Sequence, residues 1–266
     1  MNYTVCGNDI IIKKHDFELD DTLDCGQAFR WTKTDYGYKG YFLNSYLELE
    51  DRNDTVVFKN TSEKDFNDIW TDYFDFSTDY TYLKELFSHD ETLKKACEFA
   101  GGIRLLKQDA WETVCSFIIS QNNNIPRIKK IISAMCEYYG GFPKASQLAA
   151  ETPESIDFLK TGFRARYIID ASQKVASGKI KLDEISAMPL ESARKELMTV
   201  KGIGFKVADC VLLFGMHRTD AFPVDVWIKR AMAQYYPDGF PEYLDRYKGI
   251  AQQYLFHYIR NLDNVK

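Results

Sequence analysis

Lys206 and Asp225 stand 19 residues apart, one amine and one carboxylate, each beside backbone of unusual composition. Lys206 follows a Gly-x-Gly run in Val200-Lys201-Gly202-Ile203-Gly204-Phe205-Lys206-Val207-Ala208-Asp209-Cys210, and Asp225 follows a proline in Phe222-Pro223-Val224-Asp225-Val226. Glycine permits positive φ and close backbone approach, so the N–H groups of a loop through Gly202 and Gly204 can face a phosphate. A helix beginning at Phe205 adds its positive end. The plain alternative for the two glycines is an αα-turn that needs them for geometry alone. Lys206 falls in the first turn of that helix, where the dipole works against a protonated amine; a neutral lysine there can attack carbon. A lysine on phosphate or in solvent is the commoner role for any single lysine. Cys210, four residues on, shares its helix face. Asp225 suits the N-cap of the helix after Pro223, a contribution of about 1 kcal/mol. It also supplies a carboxylate able to stabilise a cationic sugar transition state, and the two roles are compatible. Together the residues point to chemistry on a nucleic acid.

The elements that must carry these residues read as an α+β chain. Residues 1–100 are mainly β: Asp9-Ile10-Ile11-Ile12, Phe29-Arg30-Trp31, Gly40-Tyr41-Phe42-Leu43 and Thr55-Val56-Val57-Phe58 are short runs rich in β-branched or aromatic residues. Turn-forming Gly, Asn and Asp separate them. Residues 63–100 become helical, with Leu83, Leu86, Leu93, Ala96 and Phe99 at helical spacing. From Gly101 the pattern is almost wholly helical. A helix over 109–120 leads to one capped by Asn124 with Pro126 in its first turn. Thr152-Pro153-Glu154 repeats the cap-then-proline start. A helix over 165–177 ends at Gly178, suited to a left-handed C-cap. Helices over 190–200 and 205–216 flank the glycine hairpin, another follows Pro223, and a long one spans about 242–262. The organisation expected is an antiparallel β-rich domain, 1–100, followed by a helical domain, 101–266, that contains a helix-hairpin-helix.

Composition narrows the class further. The chain has 266 residues, 45% of them hydrophobic and 15% aromatic, enough for a sizeable core and unlike a disordered segment. No secretory pattern opens it and no apolar run is long enough for a bilayer, so the expected place is the cytoplasm. Six cysteines are scattered without a Cys-x-x-Cys pair, which suits free, mostly buried thiols rather than zinc or iron–sulfur. No metal or cofactor is expected. The net charge is −5, but residues 1–100 carry 11 Lys/Arg against 21 Asp/Glu while the remainder carries 23 against 18. A basic half can meet phosphate while an acidic half dilutes the total; ordinary solvated charge gives the same count.

At these residues the chain resembles the helix-hairpin-helix DNA glycosylases with the Gly/Pro…Asp signature, and among them the 8-oxoguanine DNA glycosylases. Gly26-Gln27-Ala28-Phe29-Arg30-Trp31, residues 102–109, residues 121–128, Gly162-Phe163-Arg164-Ala165-Arg166-Tyr167 and Ala251-Gln252 through Phe256 resemble family segments in family order. The resemblance implies a bifunctional glycosylase/AP lyase that flips out and excises 8-oxoguanine from double-stranded DNA, with cytosine opposite. Lys206 would attack C1′ and form a Schiff base, and Asp225 would stabilise the sugar cation. The carbonyl of Gly26 would accept the N7–H that distinguishes oxidised guanine. Phe256 and Cys210 would face the two sides of the flipped base, and Gln252 would read its Watson–Crick edge. Asn122 would fill the gap in the duplex beside a Phe163 wedge. Arg127 and Arg164 would bond the orphaned cytosine, and Gly202 and Gly204 would meet phosphate. A monomer in the cytoplasm, nucleoid-associated in a prokaryote, is the simplest expectation.

Four residues depart from the family's usual pattern: Trp227, Phe163, His257 and Tyr258. Two other readings compete. A monofunctional glycosylase for alkylated bases on the same fold would keep Asp225 but need no hairpin lysine. A non-catalytic DNA-binding module would use the hairpin only as a grip, leaving the pairing of Lys206 with Asp225 unexplained.

Overall fold

Six antiparallel strands form one sheet in the order β1-β2-β6-β5-β4-β3, where β1 is Tyr3–Cys6, β2 Asp9–Lys13, β3 Trp31–Thr34, β4 Gly37–Phe42, β5 Ser45–Asp51 and β6 Thr55–Lys59. The computed structural model that shows this describes residues 2–262. Alternation along β2 and β5 sends one side chain in two to the core. Ile10 of β2 lies opposite Phe58 of β6, Phe58 opposite Leu49 of β5, and Leu49 opposite Tyr38 of β4. All four are buried, a continuous apolar row across four strands. One step along, Gly40 faces Trp31; a Cβ on Gly40 would lie 2.6 Å from the indole, so only glycine leaves room for the ring. Trp31 Nε1 in turn donates to Tyr73 Oη at 2.7 Å, which satisfies a buried polar group inside an aromatic cluster.

The four runs read as β from the sequence all touch this sheet, with shifts at their ends. Phe29 and Arg30 lie before the strand that begins at Trp31, and β1 and β5 were not among the runs read from the sequence. The expected long helix over 242–262 is instead a 3-10 turn, Glu242–Leu244, then an α-helix, Lys248–Leu262. The expected helix over 205–216 is α-helical for Phe205–Cys210 and widens to a π-turn at Val211–Gly215. Ser155 N–H does bond Thr152 Oγ1, at 3.2 Å, but only the 3-10 turn Asp157–Leu159 follows. The capped start at Asn124 forms as read, and the helix read over 109–120 proves to be capped by Asp109, each side-chain oxygen accepting an N–H three residues on. Gly178 is left-handed, at φ 71°.

The chain makes two compact units. One joins Met1–Lys107 with Val224–Lys266, and the other is Gln108–Pro223. The sequence reading placed one boundary, near residue 100; the structure places two, because the chain returns to its first unit after Pro223. Ala110–Ser120 runs through the interior of the second unit, with Phe117 stacked on Phe214 at 5.2 Å between centroids. None of the six cysteines forms a disulfide; Cys25, Cys115 and Cys210 are buried, Cys97 and Cys136 half-buried and Cys6 exposed. Burial pushes the Cys25 thiol up to about 11. No helix among the described residues is long and apolar enough to cross a membrane.

Candidate functional site

In the unit Gln108–Pro223, the hairpin joins Leu190–Leu197 to Phe205–Cys210. Gly202 has φ +82°, and a Cβ there would lie 2.3 Å from the Tyr167 ring, so glycine is required twice over. Lys206 is half-buried in the first turn beyond the hairpin, with Nζ 5.3 Å from the centroid of Phe117. The ring face attracts a cation and excludes water from one side of the amine. Cys210 is buried one turn on, at 2% exposure. Between them Asp209 turns to the interior and accepts Arg194 Nε at 2.6 Å.

The same unit brings Asn122, Phe163 and Arg164 together, with Arg127 nearby. Asn122 is exposed and left-handed, at φ 48°, a conformation asparagine tolerates better than most residues. Arg164 is 4% exposed and lies 4.5 Å from the Phe163 ring centroid. Its Nε donates to Gln121 O at 2.8 Å, Nη2 to Asn122 O at 3.0 Å and Nη1 to Thr161 O at 3.1 Å. Sequence reading assigned Arg164 to the opposite base; here its donors hold the loop that presents Asn122. Burial, with the Arg127 charge, moves its guanidinium below the ordinary arginine value. Arg127 is exposed and donates to Lys160 O at 3.3 Å.

The other unit holds Gly26, Asp225, Gln252 and Phe256. Asp225 caps Val226–Tyr235, its Oδ1 accepting Trp227 N–H at 3.0 Å and Ile228 N–H at 2.9 Å. Gln252 and Phe256 sit one turn apart on Lys248–Leu262, the first buried and the second half-buried. Gly26 has φ 90°, and the two residues around it are tied down from two directions. Gln253 Nε2 donates to Cys25 O at 3.3 Å. Gln27, wholly buried, donates to Arg104 O at 2.7 Å and Thr22 O at 2.9 Å, and its Oε1 accepts Leu106 N–H at 3.0 Å.

Sequence reading singled out Gly26 and missed both glutamines as its supports, since neither long-range partner is visible from spacing. Replacing Gln27 with leucine should cost about 2–4 kcal/mol, because three buried backbone groups each lose a hydrogen bond. A denaturant titration measures it; a change below about 0.5 kcal/mol would show that Gln27 holds nothing in place.

The departures from the family pattern have ordinary surroundings. Trp227 lies 5.0 Å from the Arg230 guanidinium. His257 and Tyr258 pack against Phe99, at 5.8 and 5.7 Å. Burial holds the His257 imidazole below its usual value, helped by Arg260 and opposed by Asp24.

Comparison with known proteins follows the same division of parts. Residues 9–114 match the 8-oxoguanine DNA glycosylase N-terminal domain. Residues 115–241 match the HhH-GPD superfamily of base excision DNA repair proteins. The structure is similar to that of Clostridium acetobutylicum 8-oxoguanine glycosylase/lyase in complex with double-stranded DNA containing cytosine opposite 8-oxoguanine. The two are 36% identical, with 99% of each chain covered and a TM-score of 0.89. It is also similar to MBOgg1 in complex with a low affinity DNA ligand, at 41% identity, covering 98% of this chain and 99% of that one, TM-score 0.91. The N-glycosylase/DNA lyase of Saccharomyces cerevisiae is 29% identical over 83% of this chain and 69% of its own length. Two adjoining domain matches and near-complete coverage at this identity lead to one conclusion: the chain belongs to the 8-oxoguanine DNA glycosylase family.

Proposed function

We propose that this chain is a bifunctional DNA glycosylase and AP lyase that removes 8-oxoguanine from duplex DNA. The observation that carries the reading is the seat of Lys206: in the first turn beyond a glycine hairpin, half-buried over an aromatic ring. In the proposed reaction the neutral amine of Lys206 attacks C1′ as the C1′–N9 bond breaks, and the bonding pair leaves with the base. Asp225 stabilises the positive charge that develops on the sugar. Opening of the sugar ring gives a Schiff base between Lys206 and C1′. Loss of a C2′ proton then expels the 3′ phosphate, which is the lyase step.

Recognition rests on one proton. The Gly26 carbonyl accepts the N7–H of the oxidised base, whereas guanine has an acceptor at N7 and would leave two acceptors facing each other. Gln252 reads the Watson–Crick edge, and Phe256 and Cys210 contact the base faces. Asn122 occupies the gap left in the duplex, with Phe163 beside it. Arg127 bonds the cytosine opposite; Arg164 does so only on giving up some of its loop carbonyls. Gly202 and Gly204 approach the phosphates.

Incubating the protein with a duplex containing one 8-oxoguanine opposite cytosine, then adding borohydride, should yield a covalent protein–DNA adduct. Base release with no adduct would instead favour a water nucleophile and overturn the lysine mechanism. Gln252→Ala should lower the excision rate by about 10- to 100-fold, with affinity for undamaged duplex little changed. Equal losses in both would make Gln252 a structural residue.

A further inference from the structure

We propose that Asp170 is a positioning residue for the glycine hairpin, holding the loop in the form that meets the DNA backbone. The inference rests on the glycosylase reading above, which makes this hairpin a DNA-binding element. Tyr167, Asp170 and Lys174 stand at positions i, i+3 and i+7 of the helix Ala165–Ala176, on one face. Each of them engages the hairpin. The Tyr167 ring fills the space that a side chain at Gly202 would need. Asp170 Oδ2 accepts the backbone N–H of Lys201 at 2.8 Å. The same oxygen accepts Lys174 Nζ at 2.7 Å, and Nζ also donates to Thr199 O at 2.7 Å. One ion pair therefore grips a carbonyl just before the loop and an amide at its start.

The arrangement is screened little from either side, with the Asp170 side chain 15% and the Lys174 side chain 16% exposed. Hydrogen bonds to an ionised group are stronger than neutral ones. The bond to Lys201 N–H fixes the peptide plane between Val200 and Lys201, one residue before the left-handed Gly202. The exposed Lys201 ammonium, 3.8 Å from Asp170 Oδ1, is the third group drawn to the carboxylate.

A carboxylate beside a phosphate-binding loop is the wrong charge for the ligand, and this gives the proposal a distinctive sign. If Asp170 acted only through its charge, removing it would tighten DNA binding. As a clamp, its removal loosens the loop and weakens binding.

The test uses the whole chain, an undamaged duplex and fluorescence anisotropy at fixed salt. Asp170→Ala should lose about ten-fold in affinity. Asp170→Asn keeps an oxygen for Lys201 N–H and should stay within about three-fold of the unaltered protein. With the lesion duplex, the Asp170→Ala loss should appear in the concentration giving half-maximal excision, out of proportion to any change in rate at saturation. Tighter or unchanged binding by both variants would overturn the proposal, as would an equal loss in both. Should Asp170→Ala not fold, Lys174→Met replaces it: the variant frees Thr199 O, so a loss of affinity beyond the roughly three-fold expected from one missing cation supports the clamp, and a loss within that range overturns it. Failure of the unaltered protein to bind duplex would instead overturn the glycosylase reading, and this inference with it.

Discussion

Lys206→Gln should abolish the borohydride-trapped adduct and reduce excision of 8-oxoguanine by on the order of 10³-fold or more. Glutamine is close to lysine in length and can keep its place against the Phe117 ring, 5.3 Å from the amine at present. What it lacks is a lone pair able to form a bond to C1′. The loss should therefore be chemical: the variant still binds lesion duplex, and its melting temperature stays within a few degrees. Trapping gels and single-turnover excision measure the two parts separately. An adduct of undiminished yield would transfer the nucleophile's role to another residue. Lost duplex binding would mean that Lys206 is a phosphate contact.

Arg194→Leu should cost about 3–5 kcal/mol of stability, the largest effect expected from any residue outside the reacting groups. Asp209 is 1% exposed and Arg194 7%, and the guanidinium gives Asp209 bonds of 2.6 and 3.4 Å while also pairing with Glu191. Burial already pushes the Asp209 carboxyl up, and Arg194 is the main opposing influence. Without the arginine, a charged carboxylate remains in the interior. Because the folded carboxyl then binds its proton more tightly than the unfolded one, the penalty is full at neutral pH and shrinks as pH falls. Thermal melts at several pH values read both features. At this chain length a loss of that size corresponds to roughly 10 °C. Arg194→Leu combined with Asp209→Leu should recover much of it, since no charge is then stranded. A single variant as stable as the original protein would show that Asp209 finds other partners or water.

The parts legible in the sequence were those set by neighbours along the chain. Runs of β-branched and aromatic residues between turn signals marked four of the six strands, and capping chemistry marked the helix starts at Asn124 and Asp225. The hairpin and its lysine followed from Gly202 and Gly204. Features set by distant partners were not legible. Nothing local marks Gln27 as the partner of Leu106, or Asp170 as the partner of Lys201, because those bonds join residues 79 and 31 positions apart. The π-turn after Cys210 also escaped, since its residues are as apolar as those of a regular helix. Arg164 is the most instructive case. The family resemblance implies a base contact for it, yet its reach to three carbonyls depends on a fold that periodicity cannot supply.

The return of the chain after Pro223 has a consequence for how the molecule is made. Gln253 reaches Cys25 across 228 positions, Tyr254 Oη donates to Ile103 O at 2.9 Å, and Tyr236 Oη to Asp90 at 2.8 Å. On a ribosome, the segments around Cys25, Asp90 and Ile103 emerge early but must wait for these late residues, whereas Gln108–Pro223 is continuous and can close while synthesis proceeds. The entropy of so long a closure grows only with the logarithm of its length, so the arrangement is a matter of timing more than of stability. The segment around Gly26, made among the first, is among the last to be braced.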